Sequence, residues 1–181
     1  MKPRKKLKLR LSNEGLSYAQ KVLKEMQKDS DRATAILLGA ELDDILQQIL
    51  SKRLLPPKSK SARLLEQDSP MGSFSARIEL TYRLGLINPL VHGELHLIRK
   101  IRNEFAHKKA GFSFKTQAIS QLTSALALPK AINQFFLKKH KEPFNPNSRS
   151  RFVCSGAILL WRLTILQEQV KRIRILPDIV F

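Results

Sequence analysis

The stretch IRNEFAHKK, residues 101–109, holds three side chains that could act together on a phosphodiester. Arg102 offers a planar fork of N–H donors that suits a phosphate group, and Asn103 could orient the bond to be cleaved. His107 titrates near neutral pH and could serve as a general acid or base. These residue types are the minimum that a metal-independent ribonuclease needs.

A structural role is the alternative for the same residues. Arg102 would then pair with an acidic residue of the second predicted helix, either Asp43 or Asp44. Asn103 and His107 would bond backbone groups at a helix end. Buried Arg, Asn and His side chains most often serve such networks, so the residue types favour this alternative.

Helix geometry limits the ribonuclease hypothesis. Five residues turn a regular helix through about 140° beyond one revolution, so Arg102 and His107 lie well apart in angle. They converge only if the helix ends near Ala106, or if a second subunit supplies one of them. The hypothesis therefore requires either an irregular helix end or a dimer.

The HGELH segment, residues 92–96, raises the question of zinc, because imidazoles four residues apart can share one ion. Its order differs from the HExxH pattern of metalloproteases, and Glu94 is predicted to point away from the two histidines. The sequence shows no third ligand, so we expect neither a metal nor another cofactor. The single cysteine, Cys154, is predicted to be a buried, small hydrophobic side chain.

The elements around these residues are predicted to be helical, since apolar residues recur every three or four positions. On the helix that carries the IRNEFAH motif, Ile98, Ile101 and Phe105 are expected to face the core. The sequence predicts a basic arm (1–12), one helical domain (13–176) and a short tail (177–181). The fold class is all-α, a single-domain bundle of about six to eight helices.

Composition restricts the class of protein. A chain of 181 residues with 43% hydrophobic and 27% charged residues suits one folded domain and excludes a disordered chain. The 33 Lys and Arg against 15 Asp and Glu give a formal net charge of +18, which attracts phosphate backbones, anionic lipid or acidic proteins. With one cysteine, no signal-peptide pattern and no apolar run of about 20 residues, we expect a cytoplasmic protein without a membrane contact.

The N-terminal arm MKPRKKLKLRL carries six basic side chains and no acidic one. Basic runs that are weakly interleaved with aromatic residues are typical of contact with polyanions that is independent of base sequence. The candidates for such nucleic-acid contacts are Arg4, Lys5, Lys6, Lys8 and Arg10.

The block SPMGSFSARIELTYRLGLINPLVHGELHLIRKIRNEFAH, residues 69–107, resembles the central signature of the mannitol operon repressor family of bacterial regulators. In that family a segment of the form PLxxFSARIxLAYxLGLI precedes a helix of the form IRxIRNxFAH. The resemblance implies a compact all-helical fold and a role in the transcriptional regulation of sugar-alcohol uptake. The sequence has no helix-turn-helix signature, so we expect a co-repressor that acts through a protein partner of unknown identity.

The motif helix also resembles the HEPN superfamily, in which an Arg-polar-xxx-His motif forms a ribonuclease site across a dimer. On that resemblance Arg102, Asn103 and His107 carry over as the motif, in an active ribonuclease or in an inactive relative. Two helices look too apolar for a monomer, and we therefore expect a homodimer. In that dimer the basic residues that surround the motif must be neutralised, and the candidates are Glu94, Glu104 or a bound polyanion.

Overall fold

Six helices dominate the part of the chain that the computed structural model describes, residues 13–26, 28–59, 63–107, 111–131 and 146–175. They are α1 (Asn13–Met26), α2 (Asp31–Arg53), α3 (Phe74–Arg83), α4 (Pro89–His107), α5 (Gln117–Ser124) and α6 (Ser148–Gln169). A further helical segment begins at residues 128–131, and no strand occurs in the described ranges. The all-α prediction is confirmed.

Two segments at the ends of the chain lie outside the described residues. The basic arm lies outside the described residues, and with it the five candidates for nucleic-acid contact, Arg4, Lys5, Lys6, Lys8 and Arg10. The tail from residue 176 onwards also lies outside them. Within the described ranges, no helix combines the length and the apolar character that crossing a membrane requires.

The boundaries of α3 and α4 follow from capping residues in the sequence. Ser73 Oγ accepts a hydrogen bond from the backbone N–H of Ala76 at 3.1 Å, and Asn88 Oδ1 accepts one from Val91 at 2.9 Å. Each bond satisfies a donor that the first turn of a helix leaves without a partner. Between the two helices Gly85 has a φ of 67°, which glycine adopts without a clash. This turn folds α4 back against α3.

The core forms where α2, α4 and α6 meet. α2 packs against α3, α4 and α6, while α4 also packs against α3, α5 and α6. Ile98, Ile101 and Phe105 of α4 are fully buried, as predicted. Gly156 lets α6 approach α2 closely, because a Cβ at that position would overlap the side chain of Leu38. Four helices, α2, α3, α5 and α6, therefore pack against the motif helix α4.

Candidate functional site

The IRNEFAH motif lies on a helix that stays regular to its end. Arg102 is half-buried and donates from Nη1 to Asn103 Oδ1 at 3.0 Å. His107 is exposed in the last turn of α4. α4 is helical through His107, its last residue, so Arg102 and His107 keep the angular separation that a regular helix gives them. The pairing of Arg102 with His107 in a ribonuclease site therefore stays a prediction, and it requires a second subunit.

Asp43 forms an ion pair with a residue that the sequence analysis did not single out. Nη1 of Arg77 lies 2.6 Å from Oδ1 of Asp43, and Nη2 donates to the carbonyl oxygen of Leu65 at 2.8 Å. Arg77 therefore forms the ion pair with Asp43 that we expected of Arg102 with either Asp43 or Asp44, while Arg102 lies near enough to act on Asp43 electrostatically. Burial raises the pKa of the Asp43 carboxyl, and the hydrogen bond and charge of Arg77 oppose that rise.

Arg102, Asp43 and Asp44 nevertheless line one polar groove of about 570 Å³, here called the α2–α4 groove. Gly39 makes room for Arg102 at its edge, because a Cβ on Gly39 would lie 2.7 Å from Cγ of Arg102. The groove brings carboxylates and guanidinium groups together in a concave surface. Its remaining lining residues are Ala40, Gln47, Glu66, Gln67, Gly72, Ser73, Phe74 and Arg77.

Glu94 is a buried carboxylate, 2% exposed, that joins α4 to its neighbours. It accepts hydrogen bonds from the backbone N–H of Ala127 and from the hydroxyl of Ser155. These bonds are the compensation that a buried charge requires. Cys154 is half-buried, whereas the sequence predicted that it would be buried. Burial, with a smaller contribution from Glu94, raises the pKa of the Cys154 thiol.

A side-chain cluster that the sequence analysis missed joins α3 to α4. Oε1 of Glu79 lies 2.8 Å from Nε2 of His92 and 3.1 Å from Nε2 of His96. The two Nε2 atoms are 3.2 Å apart. We call Glu79, His92 and His96 the Glu–His cluster. The fold thus places a third side chain that could ligate a metal beside the two histidines of the HGELH segment, because the turn at Gly85 brings α3 alongside α4.

Electrostatics in the Glu–His cluster follow from these contacts. Hydrogen bonds from His92 and His96 lower the pKa of the Glu79 carboxyl. Burial lowers the pKa of His96, and the hydrogen bond to Glu79 acts in the opposite direction. The cluster therefore favours an ionised carboxylate beside a neutral His96 imidazole.

α3 and α4 are joined by a short turn, but α4 is not presented as a recognition helix. Recognition helices contact base edges with exposed residues near their N-termini. The exposed residues at the start of α4 are Pro89, Leu90 and Gly93, none of which has a polar side chain. The rest of α4 packs against α2, α3, α5 and α6.

Comparison with known families identifies the class of protein. Residues 21–170 match the family described as mannitol repressor, MtlR. The match covers well over half of the chain, and the chain therefore belongs to the mannitol repressor family. The family resemblance of residues 69–107 is confirmed.

Curated relatives and solved structures agree with this assignment. The mannitol operon repressors of Escherichia coli strain K12 and strain O6:H1 are each 31% identical over 101 residues, 53% of this chain and 52% of the relative. The chain thus spans about half the length of the curated relatives it matches. A chain of the MtlR–HPr complex from Escherichia coli has a TM-score of 0.59 and 21% identity, covering 82% of this chain and 99% of that chain.

A second solved structure, the possible transcriptional regulator YggD from Shigella flexneri 2a, has a TM-score of 0.55 at 16% identity. It covers 83% of this chain and 95% of that chain. At these identities the two structures show a shared all-helical fold. The proteins matched in sequence are mannitol repressors, and they give no support to the ribonuclease alternative.

Proposed function

We propose that this chain is a cytoplasmic transcriptional regulator that acts as a co-repressor through contacts with another protein. The family match over residues 21–170 carries the proposal. A protein with the same fold was solved as an MtlR–HPr complex. HPr is therefore the partner that we propose to test first.

The surroundings of α4 support protein contact over direct operator reading. Base edges in the major groove are distinguished by hydrogen bonds from polar side chains. Pro89, Leu90 and Gly93 offer no such side chain where α4 begins, and Val91, Leu95 and Ile98 of the same helix are buried in the core. The exposed side chains with which α4 begins therefore cannot distinguish base edges by hydrogen bonds.

We propose the α2–α4 groove as the contact surface. Two arginines of the family signature line it, Arg77 on α3 and Arg102 on α4. Asp43 and Asp44 of α2 line the same groove. The Asp43–Arg77 ion pair fixes part of the groove wall. Charged groups arranged in a fixed concave surface favour specific pairing with complementary groups on a protein.

Isothermal titration of the full chain with Escherichia coli HPr tests this proposal. We expect saturable binding, and we expect Ala40→Trp to weaken it by at least about tenfold, because Ala40 is exposed and lines the groove. Ala106→Trp is the matched control. Ala106 is exposed near the C-terminus of α4 and does not line the groove.

Different results would contradict the proposed partner and the proposed contact surface. A wild-type chain that does not bind HPr would remove HPr as the partner. Equal binding by both tryptophan variants and the wild type would show that the contact surface lies outside the groove.

A further inference from the structure

We propose that the Glu–His cluster binds a divalent transition-metal ion, with Zn²⁺ as the best match. Glu79 comes from α3, and His92 and His96 come from one face of α4. Each offers one ligand atom, and the three atoms all lie within 4.8 Å of one another. The site is independent of the α2–α4 groove and of the proposed regulatory function.

The distances between the three atoms match those of a zinc site. Bonds of about 2.0–2.2 Å to nitrogen and oxygen, at the tetrahedral angle, place ligand atoms about 3.3 Å apart. The observed separations are 2.8, 3.1 and 3.2 Å. An ion therefore needs the side chains to move by only a few tenths of an ångström. Zn²⁺ sites with three protein ligands and one water are common in proteins.

The contacts around the rings hold them in place. The His92 ring packs on Tyr82 with centroids 4.4 Å apart, and His96 meets His92 edge-on at 4.6 Å. Side-chain exposures of 23% for His92, 21% for His96 and 46% for Glu79 leave a route from solvent to the ligand atoms. Packing on one side and access on the other are what an exchangeable metal site requires.

The ligand types select the class of ion. Two imidazoles and one carboxylate suit Zn²⁺, Co²⁺, Ni²⁺ or Cu²⁺, whereas Mg²⁺ and Ca²⁺ prefer sites built from oxygen. Arg99 lies near enough to act on His96 electrostatically, and its positive charge opposes cation binding. The negative charge of Glu79 offsets Arg99 in part. The carboxylate is thus as necessary to the site as the two imidazoles.

Cobalt spectroscopy on the full chain, prepared without a histidine tag and dialysed against a chelator, tests the site. Co²⁺ in tetrahedral coordination absorbs strongly in the visible range, and the hydrated octahedral ion absorbs weakly. We expect one equivalent of Co²⁺ to produce this absorption and one equivalent of Zn²⁺ to abolish it. Zn²⁺ should also raise the melting temperature, because the ion links α3 to α4 in the folded state only. An equal concentration of Mg²⁺ should do neither.

Variants of single ligands give the control. Glu79→Gln and His96→Asn should each weaken Co²⁺ binding by more than about tenfold, since even outer-shell partners of metal ligands contribute 10–100-fold, by order of magnitude. His107→Asn should bind like the wild type, because His107 lies on the same helix but outside the cluster. Far-UV circular dichroism in the absence of metal verifies that each variant is folded. No visible absorption in the wild type, or undiminished binding by Glu79→Gln, would overturn the proposal.

Discussion

Nη1 of Arg77 on α3 lies 2.6 Å from Oδ1 of Asp43 on α2. Arg77 is 6% exposed, and its second terminal nitrogen donates to the backbone of the segment between the two helices. The guanidinium group of Arg77 on α3 thus binds both α2 and the segment that joins α2 to α3. The pair lies in the wall of the α2–α4 groove, so it couples the stability of the fold to the shape of the proposed contact surface.

The first prediction concerns this ion pair. Arg77→Ala should lower the free energy of unfolding by about 3 kcal/mol, because the Asp43 carboxylate would lose its partner in a half-buried position. Arg102→Ala should cost about 1 kcal/mol, since Arg102 is half-buried and its hydrogen bond goes to Asn103. Urea denaturation of both variants measures the two values. A larger loss for Arg102→Ala would contradict the assignment of Arg77 as the structural arginine.

The second prediction concerns the buried carboxylate of Glu94. Ser155→Ala should lower the free energy of unfolding by about 1–3 kcal/mol, because Glu94 would lose one of its two donors while it remains buried. Ser51→Ala is the control, since the exposed Ser51 hydroxyl bonds only the carbonyl oxygen of Gln47 and should matter little. Equal stability of the two variants would show that Glu94 does not depend on Ser155.

The third prediction concerns the only thiol in the chain. Burial and Glu94 raise the pKa of Cys154, so less thiolate is present at pH 8 than in an ordinary cysteine. Alkylation by iodoacetamide should be slower in the folded chain than in the chain unfolded in urea, and it should speed up as the pH rises further. Because the folded state holds this proton more tightly, stability should also fall as the pH rises above the ordinary thiol range. Equal alkylation rates would contradict the raised pKa.

The helices were predictable because their signals are local. The hydroxyl of Ser73, the amide of Asn88 and the conformational freedom of Gly85 act within a few residues of the helix ends that they define. The burial of Phe105 follows equally from apolar spacing along α4. Such features need no knowledge of how one helix packs against another.

The partners of charged side chains were less predictable, because they depend on helix packing. Glu79 lies thirteen residues from His92, and the two meet only through the angle of the turn between α3 and α4. Periodicity along one helix gives no information on that angle. Asp43 likewise could accept from Arg77 or Arg102, which both line the groove, and the sequence does not rank them.

The fourth prediction concerns assembly. We expect a homodimer whose association weakens in Glu104→Lys, because the substitution adds positive charge beside Arg102 and the other basic residues of α4. Sedimentation at micromolar concentration measures both the assembly and the effect of the variant. A monomeric wild type would contradict the dimer and remove the ribonuclease alternative, which requires a second subunit to join Arg102 with His107.

DNA affinity as a function of salt distinguishes a co-repressor from a repressor that reads its operator. We expect the chain to bind promoter and random DNA alike, with affinity that falls steeply as salt rises. Deleting residues 1–11 removes six positive charges and should make the negative slope of log K against log salt shallower by up to about 5. Tight, salt-resistant binding of the full chain to one promoter fragment, with a defined footprint, would contradict regulation through protein contacts.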